Sequence, residues 1–214
     1  NINKKEASVP EYNNIGLVLR NLEQNEEALK YFHLALDLAT KTGNKSQIST
    51  LWNNIGISHR GLKQYDKAEK AIGLALQLNK ELGDSQRIAH NLNNLGMISL
   101  NLQNYQKAVE YFTQAMNINK SLYNKYEQVQ NMNNLASVYI KTGNLSGAKS
   151  LLVESGNIFK TFKADALQQD YFKTFADYYH KTGDYKNALL LKDKYILFRD
   201  SLFYFNRFKK FDQL

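Results

Sequence analysis

The phrase Asn-Asn-Ile-Gly recurs through this chain at a fixed interval, and that interval constrains the fold more than any other feature. It stands at Asn13–Gly16 and Asn53–Gly56, becomes Asn-Asn-Leu-Gly at Asn93–Gly96, and Asn-Asn-Leu-Ala at Asn133–Ala136. The spacing is 40 residues each time, and an eroded copy, Lys173-Thr174-Phe175-Ala176, keeps the register. A period of this length marks one supersecondary unit repeated along the chain, each copy burying its apolar face against its neighbours. The expectation is therefore one elongated array within the 214 residues, not two globular domains.

Within a period the apolar residues follow helical spacing twice. In the second copy Ile48, Leu51, Trp52, Ile55 and Leu62 form one run, and Ala68, Ala71, Ile72, Ala75, Leu76 and Leu78 form another. Gly43-Asn44, Gly83-Asp84-Ser85 and Asn124-Lys125 close the units. The pattern predicts helix pairs near 8–22 and 25–41, 46–62 and 65–82, 86–102 and 105–122, and 126–142 and 145–161. A fifth first helix is expected over 165–182, with its partner starting near 185.

Small residues recur in two columns: Gly16, Gly56, Gly96, Ala136 and Ala176 on first helices, and Ala28, Ala68, Ala108, Ala148 and Ala188 on second helices. Glycine inside a helix costs about 1 kcal/mol against alanine. Close approach of the paired backbones accounts for three such glycines.

With the large residues Tyr12, Trp52, Leu92, Met132 and Phe172 ahead of these columns, the chain resembles a tetratricopeptide repeat array. Ile15, Ile55, Leu95, Leu135 and Phe175 fill the family's leucine slot. Phe32, Ile72, Phe112 and Leu152 fill its aromatic slot, and Ala35, Ala75 and Ala115 its last alanine slot. The resemblance implies an all-α, right-handed α-solenoid of five helix pairs with a concave groove, plus an extended C-terminal helix. The array is expected over 1–183, with repeats near 8–41, 46–82, 86–122, 126–161 and 165 onward. Residues 184–214 are expected to run from the second helix of repeat five into a capping or signalling helix. Two departures stand out. The period exceeds the usual 34 by six residues, about 9 Å of helix in total, and the proline that usually ends the second helix is replaced by Thr40, Lys80, Lys120 and Lys160. In repeat five, Lys192 and Tyr195 stand where Phe and Ala are expected.

The doubled asparagines are not required by the packing columns. Asparagine costs roughly 0.5 kcal/mol per helical residue against alanine, so the pairs must recover that by hydrogen bonding. In arrays of this family the first helices line the groove, and asparagine there holds peptide backbone. The resemblance thus implies a ligand ladder of Asn14, Asn54, Asn94 and Asn134, flanked by Asn53, Asn93 and Asn133, since an amide serves both C=O and N–H. The alternative is that the amides brace neighbouring helices. Met97 belongs to an apolar column on the same face, and Arg60 with His90 is a candidate pair for a ligand carboxylate; a solvated arginine and a helix-face histidine are the alternative.

No catalytic pattern is present. His33, His59, His90 and His180 show no ligand pairing, and there is no phosphate loop or nucleophile elbow. No cofactor or metal is expected, and there are no cysteines. The net charge of +8 is interleaved with carboxylates, which argues against a nucleic-acid partner. No apolar run is long enough to span a membrane. Residues 1–8 align with 41–48, at the close of a unit, so a further repeat ahead of Asn1 is an expectation.

Half of the chain's 26 aromatic residues lie beyond residue 164. Phe198, Leu202, Phe203 and Phe205 are candidates for self-association into a homodimer through a C-terminal helix. The stretch Tyr195–Leu202 resembles the segment after the last repeat in bacterial sensor kinases and helix-turn-helix regulators. That resemblance implies a sensory or interaction module binding a peptide or protein segment, with a constitutive self-associating scaffold as the alternative. A cytoplasmic module and the periplasmic sensor part of a membrane-anchored protein both fit.

Overall fold

Ten helices follow one another among the described residues, and the turn inside each helix pair is too short for anything but an antiparallel pair. The computed structural model describes the backbone of residues 8–161 and 165–211, and side chains within 8–161 and 167–200. Two compact units divide the chain, Asn1–Ile118 and Asn119–Leu214. The first holds α1 (Val9–Asn21), α2 (Asn25–Thr42), α3 (Lys45–Gly61), α4 (Tyr65–Glu81), α5 (Ser85–Asn101) and most of α6 (Tyr105–Ser121). The second holds α7 (Lys125–Thr142), α8 (Leu145–Phe159), α9 (Asp165–Thr182) and α10 (Tyr185–Phe211). Each is an all-α stack of helix pairs, the solenoid class that the 40-residue period implies.

The turn chemistry explains why the helices start and stop in register. Asn44, Asp84 and Asn124, 40 residues apart, cap α3, α5 and α7, each side chain accepting from the backbone N–H three residues on. Asn104, Asn144 and Asp184 do the same for α6, α8 and α10. The left-handed residue that ends the second helix is Gly43 and Gly83, then Tyr123 at φ 54°. With no proline at residue 40 or 80, α2 runs to Thr42 and α4 to Glu81.

The glycine columns have the cause expected of them. A Cβ on Gly16 would stand 2.5 Å from the Phe32 ring, and one on Gly96 would stand 2.6 Å from Phe112. At Gly56 it would collide with Ile72. The large side chain of each second helix therefore seats in the notch left by the first. In the first unit Ala28, Phe32, Ala35, Leu36 and Ala39 of α2 close on Leu51 and Ile55 of α3, and Ala68 and Ile72 close on Leu95 and Ile98. In the second, Ala136, Ile140, Ala148, Leu152 and Tyr178 form the core.

One pair of columns changes chemistry without changing place. Ala39 and Leu51 share the first core cluster. Their counterparts are Asn79, donating to Asn91 at 2.6 Å, and Asn119, donating to Asn131 at 2.8 Å, all buried. The next counterparts, Phe159 and Tyr171, meet as rings at 5.3 Å. Each pairing matches polarity with polarity, as burial demands.

Candidate functional site

On the first helices of the first unit, one line of residues that are not fully buried recurs at the period of a helix face. On α1 these are Asn13, Leu17 and Arg20; on α3 Thr50, Asn53, Ile57 and Arg60; on α5 His90, Met97 and Leu100. His90 is exposed and the others are half-buried.

The asparagine pairs straddle the edge of this line. Each second asparagine lies 100° further around its helix, toward the preceding first helix. Asn54 donates to Asn13 at 2.9 Å, and Asn94 donates to Asn53 at 3.0 Å, so these successive repeats are linked by side-chain amide hydrogen bonds in the same register. Asn91 adds a second donor to Asn53 at 3.0 Å, extending the chain back to Asn79. Asn54 and Asn94 are only 6% and 5% exposed. The amides of these two hydrogen-bond adjoining helices, the bracing arrangement that the sequence offered as the alternative. Asn93 and Asn133 are also buried, Asn14 is exposed, and Asn134 is half-buried with a bonding partner of its own. Asn13 and Asn53, first members of their pairs, are the ones that reach the half-buried line.

Arg20 and Arg60 occupy the same column, 40 residues apart. Arg20 donates to the Asn54 Oδ1 at 3.1 Å. Among the described residues neither guanidinium has a carboxylate in ion-pair range, and Arg60 makes no hydrogen bond to any of them. Burial pushes Arg60 below its ordinary value, and the nearby Arg20 charge pushes it further. Burial lowers Arg20 as well. Two like charges held together without a counter-ion raise the local affinity for an anion. Arg60 thus has Arg20 as its charged neighbour, whereas His90 borders a separate small cavity.

That cavity, about 180 Å³, is lined by polar groups including Thr50, Asn53, Asn79, Arg87 and His90. A second, about 200 Å³, lies by Pro10, Asn13, Ser46 and Thr50 and shares Arg87 with the first. Arg87 crosses from α5 to α3, donating to the Ser46 Oγ at 2.6 Å. The Asn79 Oδ1 is buried with no hydrogen-bond partner among the described residues.

In the second unit, Phe198 packs edge-to-face on Phe172 at 5.4 Å, which turns it into its own array. The other self-association candidates, Leu202, Phe203 and Phe205, lie outside the residues whose side chains are described. No group of three metal-binding side chains and no helix long and apolar enough to cross a membrane occurs among the described residues.

Sequence reasoning did not single out Arg20 as a partner for Arg60, although the column of like residues was visible. Nor did it single out Asn79, Asn91, Asn119 and Asn131, whose signal was a matched change in two columns 12 residues apart.

Comparison with known proteins agrees with this architecture. No curated protein sequence matches the chain. Among solved structures, BtubC from P. vanneervenii superposes with a TM-score of 0.76 at 19% identity, over 91% of this chain and 80% of that one. A Rap protein complexed with competence and sporulation factor gives 0.73 at 16%, over 91% and 64%. A signal transduction ATPase with a tetratricopeptide repeat sensor from Pyrococcus horikoshii gives 0.74 at 20%, over 94% and 31%. At these identities the likeness is one of fold. The tetratricopeptide repeat family model matches residues 11–81, 47–121 and 87–161 in overlapping registers, and with its helix pairs, small-residue notches and 40-residue period the chain belongs to the tetratricopeptide repeat family.

Proposed function

We propose that the chain is a non-catalytic module that holds an extended, carboxylate-bearing peptide or protein segment on the first-helix face of its first unit. The observation that carries this reading is the half-buried Arg20–Arg60 pair, which has no carboxylate partner among the described residues. A ligand carboxylate would accept from both guanidiniums and relieve their repulsion. Asn13 and Asn53 flank that point with amide groups, and Leu17, Ile57 and Met97 offer apolar surface. In this reading the ladder of Asn54, Asn94 and Asn134 acts through the helices it spaces, not by gripping the ligand. A segment bridging neighbouring first helices would alter their spacing, and residues 184–214 would carry that change onward from the array over 1–183. The likeness to the Rap protein complexed with competence and sporulation factor and to the ATPase with a repeat sensor supports this sensory version.

The test is fluorescence anisotropy with a labelled pool of nine-residue peptides amidated at the C-terminus, one half carrying a Glu or Asp and the other carrying Gln or Asn. The acidic pool should bind, and Arg20→Gln with Arg60→Gln should weaken it by about tenfold or more. Equal binding of both pools, or of wild type and double variant, would sink the proposal.

The scaffold alternative predicts self-association through the C-terminal helix. With Phe198 already engaged by Phe172, light scattering before and after removal of residues 196–214 decides it.

A further inference from the structure

The fifth helix pair breaks the rule that packs the others. Phe32, Ile72, Phe112 and Leu152 fill the notch of their first helices and are wholly buried, at 0% exposure. In register with them stands Lys192, which is exposed, and Tyr195 replaces the buried Ala35, Ala75 and Ala115. Opposite them the notch remains, because Ala176 continues the column of Gly16, Gly56, Gly96 and Ala136.

A notch kept open without its filling residue leaves space. A cleft of about 400 Å³ lies between α9 and α10 at this position, and its surface is mostly apolar. That is within the range of small-molecule sites, about 300–1,000 Å³. Ala176, Ala188 and Leu189 supply apolar lining, and Tyr185 and Tyr195 supply aromatic edges. Lys173 on α9 and Lys192 on α10 are both among the lining residues, with Asp177 as the one carboxylate of the lining, and Asp170 lies within electrostatic reach of Lys173. Among the described residues none of the three lining charges, Lys173, Asp177 and Lys192, makes an ion pair or hydrogen bond. The lining thus carries one net positive charge around an apolar interior.

We propose that the α9–α10 cleft is a binding site for an apolar monocarboxylate, its hydrocarbon or aromatic body in the emptied core slot and its carboxylate between Lys173 and Lys192. The ligand restores what the substitution removed: apolar volume at the Phe32 position, with the lysine ammonium paired instead of solvated. The site uses residues distinct from those of the first-unit face.

The full chain is titrated with phenylbutyrate and with the uncharged phenylbutyramide by calorimetry and by NMR of the tyrosine rings. Saturable one-to-one binding of the acid, at least about tenfold weaker for the amide, is expected. Lys192→Leu, which copies Leu152, should abolish binding without lowering the thermal midpoint. Lys192→Gln, which leaves the surface polar and the fold undisturbed, should weaken it about tenfold. A second arm uses an acetylated tripeptide ending in leucine. Tighter binding than phenylbutyrate assigns the carboxylate to a chain terminus, and weaker binding assigns it to a free acid. No saturation, equal binding of acid and amide, or binding unchanged in both Lys192 variants overturns the proposal.

Discussion

Asn53 is the residue whose loss separates bracing from ligand capture. Its Oδ1 accepts from Asn91 and from Asn94, each at 3.0 Å, and both donors are buried, at 1% and 5% exposure. Asn53→Ala leaves two buried amide N–H groups without an acceptor, and each such loss costs about 1–3 kcal/mol. Alanine returns about 0.5 kcal/mol of helix propensity. Water entering from the adjoining cavity of about 180 Å³ satisfies part of the deficit, so the net loss should be about 2 kcal/mol. Asn94→Ala removes one donor and leaves Asn91 on the same acceptor, so it should cost about 1 kcal/mol. Asn53→Asp keeps the shape and both acceptances, and should lose less than Asn53→Ala. Urea unfolding followed by circular dichroism gives the differences. Amide hydrogen exchange over α3–α5 locates them, since a repeat array opens locally. If Asn53→Ala is neutral, or gains the propensity term, the bracing argument is refuted and the asparagines are free for a partner.

Packing and backbone geometry fix four further outcomes. Gly96→Ala should destabilise by about 1–3 kcal/mol, because its Cβ meets the Phe112 ring at 2.6 Å. Gly73→Ala, with nothing within 4 Å, should stabilise by nearly 1 kcal/mol, and denaturant midpoints check both. Tyr123→Gly should stabilise by about 1 kcal/mol in the same assay, since Tyr123 holds φ 54° at 89% exposure and gives up little packing. Asn91→Leu alone should cost about 1–3 kcal/mol by stranding Asn79, whereas Asn79→Ala with Asn91→Leu, which copies Ala39 and Leu51, should recover most of it. A double-mutant cycle measures the difference.

The repeat made the helices legible before any coordinates. Glycine in register with Phe32, Ile72 and Phe112 announced a close approach, and the contacts beneath Gly16, Gly56 and Gly96 are that approach. The caps at Asn44, Asp84 and Asn124 were legible as turn residues, because capping depends on neighbours three residues away. These features are local or are repeated in every copy, so a period and a residue type suffice to read them.

The asparagine pair was less legible, because its two members differ only by 100° of rotation about one helix. Whether that rotation points an amide outward or into the preceding helix depends on how adjacent pairs are packed. For Asn54 and Asn94 it points inward, to Asn13 and Asn53. The pairing of Arg20 with Arg60 has the same origin, since a column in the sequence becomes a cluster of charge only when successive first helices lie side by side. Lys192 is the reverse case. The departure from the pattern was plain in the sequence, but the open space of about 400 Å³ beside it depends on what α9 and α10 leave uncovered. Period and composition by themselves determined the all-α array of helix pairs. Tertiary packing decided which polar groups satisfy one another and which are left facing outward, because burial is a property of the neighbours a side chain acquires.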